Sequence, residues 1–122
     1  MIQNFVNYDT TGRIIQVGSC LDTLVDLQAW EGVGVMRGEA DPNLHWVQDG
    51  EIVLRPEMPV SITGCRVEVP PKTAFTVTGK VYLQGEGDES GILDFQFDEP
   101  GEYEVRLENF PYQDKTVVLR AD

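Results

Sequence analysis

The chain has 122 residues, 41% of them hydrophobic and 25% charged, which fits one folded domain or two small ones and excludes a disordered chain. Nine Lys and Arg stand against 21 Asp and Glu, a net charge of −12 that repels phosphate backbones, so no nucleic-acid partner is expected. No apolar run reaches the ~18 residues of a membrane span, and Met1–Thr11 has no cationic stretch leading into an apolar one, so neither membrane insertion nor classical export is expected.

Strand and turn signals then follow one another. Ile2–Tyr8 predicts a first strand, Asp9-Thr10-Thr11-Gly12 a turn, and Arg13–Gly18 the hairpin partner, because Ile14, Ile15 and Val17 favour extended backbone. From Ser19 to Trp30 the rhythm changes. Leu21, Leu24, Val25 and Leu27 recur at helical spacing, Trp30 extends the stripe, and Ser19 with Asp22 matches a capping box. One short helix near 20–30 is predicted, ended by Gly32 and Gly34, with a strand over Val33–Gly38 after it. A turn cluster, Glu39-Ala40-Asp41-Pro42-Asn43, leads to Leu44–Gln48 and Glu51–Leu54. These flank Asp49-Gly50, the dipeptide a type I′ hairpin needs because both central residues sit at positive φ. Arg55-Pro56-Glu57-Met58-Pro59 holds two prolines in five residues, cannot continue a central strand, and reads as the border between two parts, 1–58 and 59–122.

Beyond the border, Val60–Val69 predicts one or two strands broken near Gly64, and Pro70-Pro71 an extended break. Thr73–Thr78 and Val81–Leu83 read as strands around Gly79-Lys80, and Gly85–Gly91 as an open loop. Alternation then becomes strict. Leu93, Phe95 and Phe97 interleave with Asp94, Gln96 and Asp98; Tyr103, Val105 and Leu107 interleave with Glu102, Glu104, Arg106 and Glu108. With Glu99-Pro100-Gly101 as the turn, the two runs predict a half-buried antiparallel hairpin. Thr116–Arg120 is the last strand. The fold class is all-β, in the manner of a sandwich or barrel.

Few residues invite chemistry. His45 is the sole histidine, so zinc sites built on two or three His are excluded within one chain. Cys20 and Cys65 are too far apart for a CxxC unit and read as two reduced thiols, with a single disulfide as the alternative. Gly32-Val33-Gly34 and Gly85-Glu86-Gly87 lack the third glycine and the strand-to-helix setting of a dinucleotide fingerprint. Glu86, Asp88 and Glu89 form an ordinary loop, with calcium ligation as the sharper alternative. Tyr8, Trp30 and Trp46, with Asp41 and His45, are residue types that line sugar platforms. No pair of acids falls in a segment that reads as a cleft, so no catalytic residue, metal or cofactor is assigned. Asp94, Asp98, Glu102, Glu104 and Glu108, on the outer side of the expected late hairpin, form either a solvated face or a docking face for a basic neighbour.

Two resemblances add to this. The run Pro70-Pro71-Lys72-Thr73-Ala74-Phe75-Thr76-Val77-Thr78-Gly79, with Glu99-Pro100-Gly101-Glu102-Tyr103-Glu104-Val105-Arg106-Leu107 and Phe110-Pro111-Tyr112, resembles small immunoglobulin-like modules of the PEGA type over roughly 50 residues. The long acidic loop Gly85–Gly91 departs from that pattern. The first part, from Tyr8-Asp9 and Gly12-Arg13-Ile14 through Gly38-Glu39-Ala40-Asp41 to His45-Trp46-Val47-Gln48-Asp49-Gly50-Glu51-Ile52-Val53 and Arg55-Pro56, is similar to small tail-fibre and tail-associated virion proteins of tailed bacteriophages. The resemblances imply an N-terminal hairpin-rich attachment part followed by a small immunoglobulin-like sandwich. They imply a non-enzymatic virion subunit, in tail, baseplate, fibre or head decoration, that is made in the host cytoplasm and binds other virion subunits. A symmetric homo-oligomer, a trimer among the options, would cover the apolar candidates Phe5, Tyr8, Trp30, Leu44 and Trp46. Rival expectations are a glycan- or host-surface-binding module, a carboxylate-dependent hydrolase and an envelope adapter.

Overall fold

The structure, a computed structural model, describes every residue from Met1 to Asp122, and the fold is all-β, its sheets antiparallel throughout. It divides into two compact units, Met1–Arg55 and Pro56–Asp122. The sequence puts the border after residue 58. It falls earlier because Met58 is buried in the core of the second unit.

In the N-terminal unit, β1 (Ile2–Tyr8) is the centre of a three-stranded sheet between β2 (Ile14–Leu21) and β3 (Gly34–Arg37). A separate hairpin joins β4 (His45–Gln48) to β5 (Glu51–Leu54) through Asp49 and Gly50, at φ 53° and 79°, the left-handed pair that matches strand twist. The core is small: Val6 and Ile14 of the sheet pack with Val47 of the hairpin, and Tyr8, Met36, Ala40 and Ile52 surround them. The 3₁₀ segment Asp22–Gln28 packs on strands β1 to β3 and buries Val25. It is held by polar contacts. The buried Asn7 amide donates to the carbonyls of Gln28 (2.9 Å) and Gly34 (3.3 Å), and Arg37 pairs with Asp22 (3.1 Å) and Asp26 (3.5 Å).

The short helix expected near 20–30 is this 3₁₀ segment. Ser19 lies within β2 and no side chain caps the segment. At three residues per turn a spacing of three and four does not gather into one buried stripe. Val25 alone turns inward, while Leu21, Leu24, Leu27 and Trp30 stay exposed.

The C-terminal unit is a sandwich of two sheets. One has the order β10 (Ile92–Asp94), β7 (Arg66–Glu68), β6 (Ser61–Thr63). The other has the order β12 (Lys115–Ala121), β11 (Gly101–Glu108), β8 (Ala74–Thr78), β9 (Leu83–Glu86). Val67 and Leu93 of the first sheet pack against Val77, Tyr103, Val105, Leu107, Val117 and Leu119 of the second. The order is that of an immunoglobulin-like sandwich in which the fourth strand joins the third instead of the fifth. Tyr103, near the start of β11, donates its buried hydroxyl to the carbonyl of Glu99 at 2.7 Å, the tyrosine corner of such sandwiches. Burial, followed by the nearby Glu99 and Asp98 carboxylates, raises the pKa of this phenol.

The late hairpin expected from strict alternation is not formed. Ile92–Asp94 pairs with β7 in the first sheet, whereas β11 pairs with β8 and β12. Period two names the buried face but not the neighbouring strand. Past Asp94 the chain leaves the sheet, and its aromatics bridge the layers: Phe75 meets Phe95 edge-on (5.3 Å), Phe95 lies near Phe97 (6.1 Å), and Phe97 stacks on Tyr103 (3.8 Å). β9 also starts later than predicted and takes Gly85 and Glu86 out of the expected loop.

One device recurs in both units. A directly opposed aromatic ring covers a strand glycine: Phe5 over Gly18, Tyr8 over Gly34, Phe75 over Gly85. A Cβ would stand 2.9, 2.6 and 2.8 Å from those rings, so each glycine is fixed by its neighbour's bulk.

Candidate functional site

The five apolar interface candidates separate in the structure. Phe5 is buried under its own sheet, its ring spent on Gly18, and is corrected from interface to core. Tyr8 is half-buried over Gly34, and Trp46 is half-buried on β4. Trp30 and Leu44 are exposed. Trp30 sits in an isolated bridge with Val33, their backbones exchanging hydrogen bonds of 2.8 and 3.2 Å.

Leu44 ends a tightly held turn. Asn43 N–H donates to the Asp41 carboxylate (2.9 Å), and Asp41 N–H donates to His45 Nδ1 (3.0 Å). The buried Arg55 guanidinium donates to the carbonyls of Pro42 (3.2 Å) and Asn43 (3.3 Å), which satisfies a charge that would otherwise be costly to bury. Asp41 and His45 are thus engaged in shaping the turn.

Exposed apolar side chains that the sequence reading did not select are Ile15, Val17 and Leu21 on β2, with Leu27 and Leu54 elsewhere in the N-terminal unit. Leu27 and Leu54 are 74% and 66% exposed. One sequence signal pointed to the β2 group: Ile14–Leu21 contains no charged residue and no proline.

The acidic candidates also separate. Glu102, Glu104 and Glu108 alternate with buried Tyr103, Val105 and Leu107 and share the outer face of β11. Asp94 belongs to the opposite sheet and Asp98 to the connection before β11, so the five do not form one face. Two of the three β11 acids are paired. Arg120 meets Glu102 at 3.0 Å, and Arg106 meets Glu108 and Asp114, each at 3.0 Å. Asp114's hydrogen bond, then the Glu108 charge, raise the pKa of Arg106.

The acids of the loop before β10 are likewise occupied. The Asp88 carboxylate accepts from the Ser90 N–H (2.9 Å) and hydroxyl, which lowers its pKa, and Glu89 pairs with Lys72 at 3.0 Å. No group of three or more His, Cys, Asp or Glu side chains is placed to hold a metal ion. Cys20 and Cys65 are not bonded to one another; the Cys65 thiol lies 3.7 Å from the Arg120 carbonyl. No helix is long and apolar enough to cross a membrane. No protein-family model, curated protein or solved structure matches the chain.

Proposed function

We propose that this chain is a non-enzymatic structural subunit that works by protein–protein contact, with the N-terminal unit as its adhesive part. The observation that carries this reading is the imbalance within that unit. Its core cluster is Val6, Ile14 and Val47, while Ile15, Val17, Leu21, Leu27, Trp30 and Leu54 face solvent. Apolar area left open in a small unit is stabilised when another subunit covers it, at about 25 cal/mol per Å². On β11, Glu108 pairs with Arg106 and Glu102 with Arg120, and its acids lie on one exposed strand face and not across a cleft, which favours an adhesive role over a hydrolytic one. The resemblance of the first part to tail-associated proteins supports a bacteriophage virion as the particle, with other virion subunits as the partners.

A fluorescent apolar probe tests the adhesive half. The chain should bind it, and Leu27→Glu with Leu54→Glu should reduce the signal without lowering the melting temperature. A chain that binds no probe overturns the reading. Peptides of this chain in stoichiometric amount in purified particles would support the virion assignment; their absence from the particles would overturn it. A glycan- or host-surface-binding module is the second reading, favoured by the exposed Trp30 ring. Loss of glycan-array binding in Trp30→Ala and Trp46→Ala would establish it.

A further inference from the structure

We propose that the open edge of β2 is a docking strand for β2 of a second copy of this chain, the two running antiparallel about a two-fold axis. This rests on the adhesive reading above and names the partner. β2 is the outermost strand of its sheet and pairs only with β1, so the backbone donors and acceptors along its other side have no strand partner. Ile15, Val17, Ser19 and Leu21 are exposed on one face; on the other Gln16 is exposed, Gly18 and Cys20 are half-buried and Ile14 is buried.

Proteins protect such edges with charge, proline or brevity. The other edges here follow that rule. β3, β4, β5, β6, β9 and β10 are three or four residues long, and β12, the only other long edge, carries Lys115 and Arg120. β2 runs for eight residues with no charge and no proline. It is the one edge left attractive.

Charge selects the occupant. A charged partner strand, acidic or basic, finds no counter-charge within Ile14–Leu21. The complementary strand is uncharged, extended and apolar at alternate positions, and β2 is itself such a strand. Opposite charges also flank it: Arg13 precedes β2, and Asp22, whose carboxylate Arg37 already meets at 3.1 Å, follows it. A two-fold register centred on Val17 or on Gly18 brings Arg13 of one copy within one position of Asp22 of the other, at both ends. Such pairing is isologous and closes at two copies.

Sedimentation across a wide concentration range, combined with hydrogen exchange, tests the proposal. The expected result is a monomer–dimer equilibrium in which β2 amides gain protection as concentration rises. Val17→Lys and, separately, Ser19→Lys should weaken association by about tenfold or more by placing charge on the edge, with melting temperatures unchanged. A dimer that survives both variants with β2 amides unprotected overturns the proposal while leaving the adhesive reading intact. An open-ended polymer overturns the two-fold form. A monomer at every concentration overturns it too, and the apolar-probe signal then decides whether the adhesive reading falls with it.

Discussion

The two units solve the same problem with different means. The C-terminal unit buries ten apolar residues between two sheets, from Met58 through Tyr103 and Leu107 to Leu119, and its two longest strands, β11 and β12, alternate between core and solvent. The N-terminal unit closes over four buried aliphatics and Phe5, and relies on polar ties: Asn7 to the 3₁₀ segment, Arg55 to the turn before β4, Arg37 to Asp22. A sandwich can bury a core of that size, here leaving Ile62, Tyr82 and Val118 exposed. A single three-stranded sheet flanked by a hairpin and a short segment has too little interior to do so, and the remainder lies on its surface. The difference teaches what a second layer does in a chain this short: the half that has one buries twice as many apolar side chains.

That contrast can be broken experimentally. The largest effect is expected from Leu107→Ala, which removes a fully buried side chain from the sandwich and should cost about 3–4 kcal/mol in chemical denaturation. For a sandwich of this size that is most of the available stability. A cost below about 1 kcal/mol would mean the C-terminal core is not the closely packed one described. In the other unit the sensitive residue should be polar. Asn7→Ala leaves the carbonyls of Gln28 and Gly34 without their donor and should cost about 2–3 kcal/mol. Hydrogen exchange should locate the loosening in Asp22–Gln28; an unchanged exchange pattern there would dispose of the polar-tie account.

The smallest effect concerns the first turn. Burial opposes the charge on Asp9, but hydrogen bonds from the Thr11 hydroxyl and N–H and from the Arg13 N–H outweigh it, and the Asp9 pKa is lowered. A carboxyl whose folded-state pKa is depressed contributes stability above its unfolded value, near 4, and loses it as pH falls through the lower folded value. Wild type should therefore be more stable than Asp9→Asn at neutral pH, with the gap closing below about pH 4. A gap independent of pH would show that the carboxylate charge plays no part.

Much of the fold was legible. The Asp49-Gly50 hairpin, the break at Gly64 and the core face of Tyr103, Val105 and Leu107 follow from local rules that need no knowledge of distant residues. The misread elements share one physical cause. Leu93, Phe95 and Phe97 have the period of a strand, yet only the first lies in one; which strand it joins depends on the far-off β7, and the two Phe rings are claimed by Phe75 and Tyr103. Leu21, Leu24 and Leu27 have helical spacing, yet nothing lies over them to bury a stripe. Phe5 looked available for a partner because Gly18, thirteen positions on, gave no sign that it needed a ring above it.

The amino-acid sequence by itself determined the all-β class, the turns and the inward face of the longest strands, because backbone preference and side-chain alternation act over a few residues. Only the tertiary structure decided which strands became neighbours, which aromatics were consumed covering glycines, and that the uncharged β2 stood at an edge and not within a sheet. Those outcomes depend on pairing across long stretches of chain, where one run of apolar residues has several partners of nearly equal local merit and only the packing of the whole unit chooses among them.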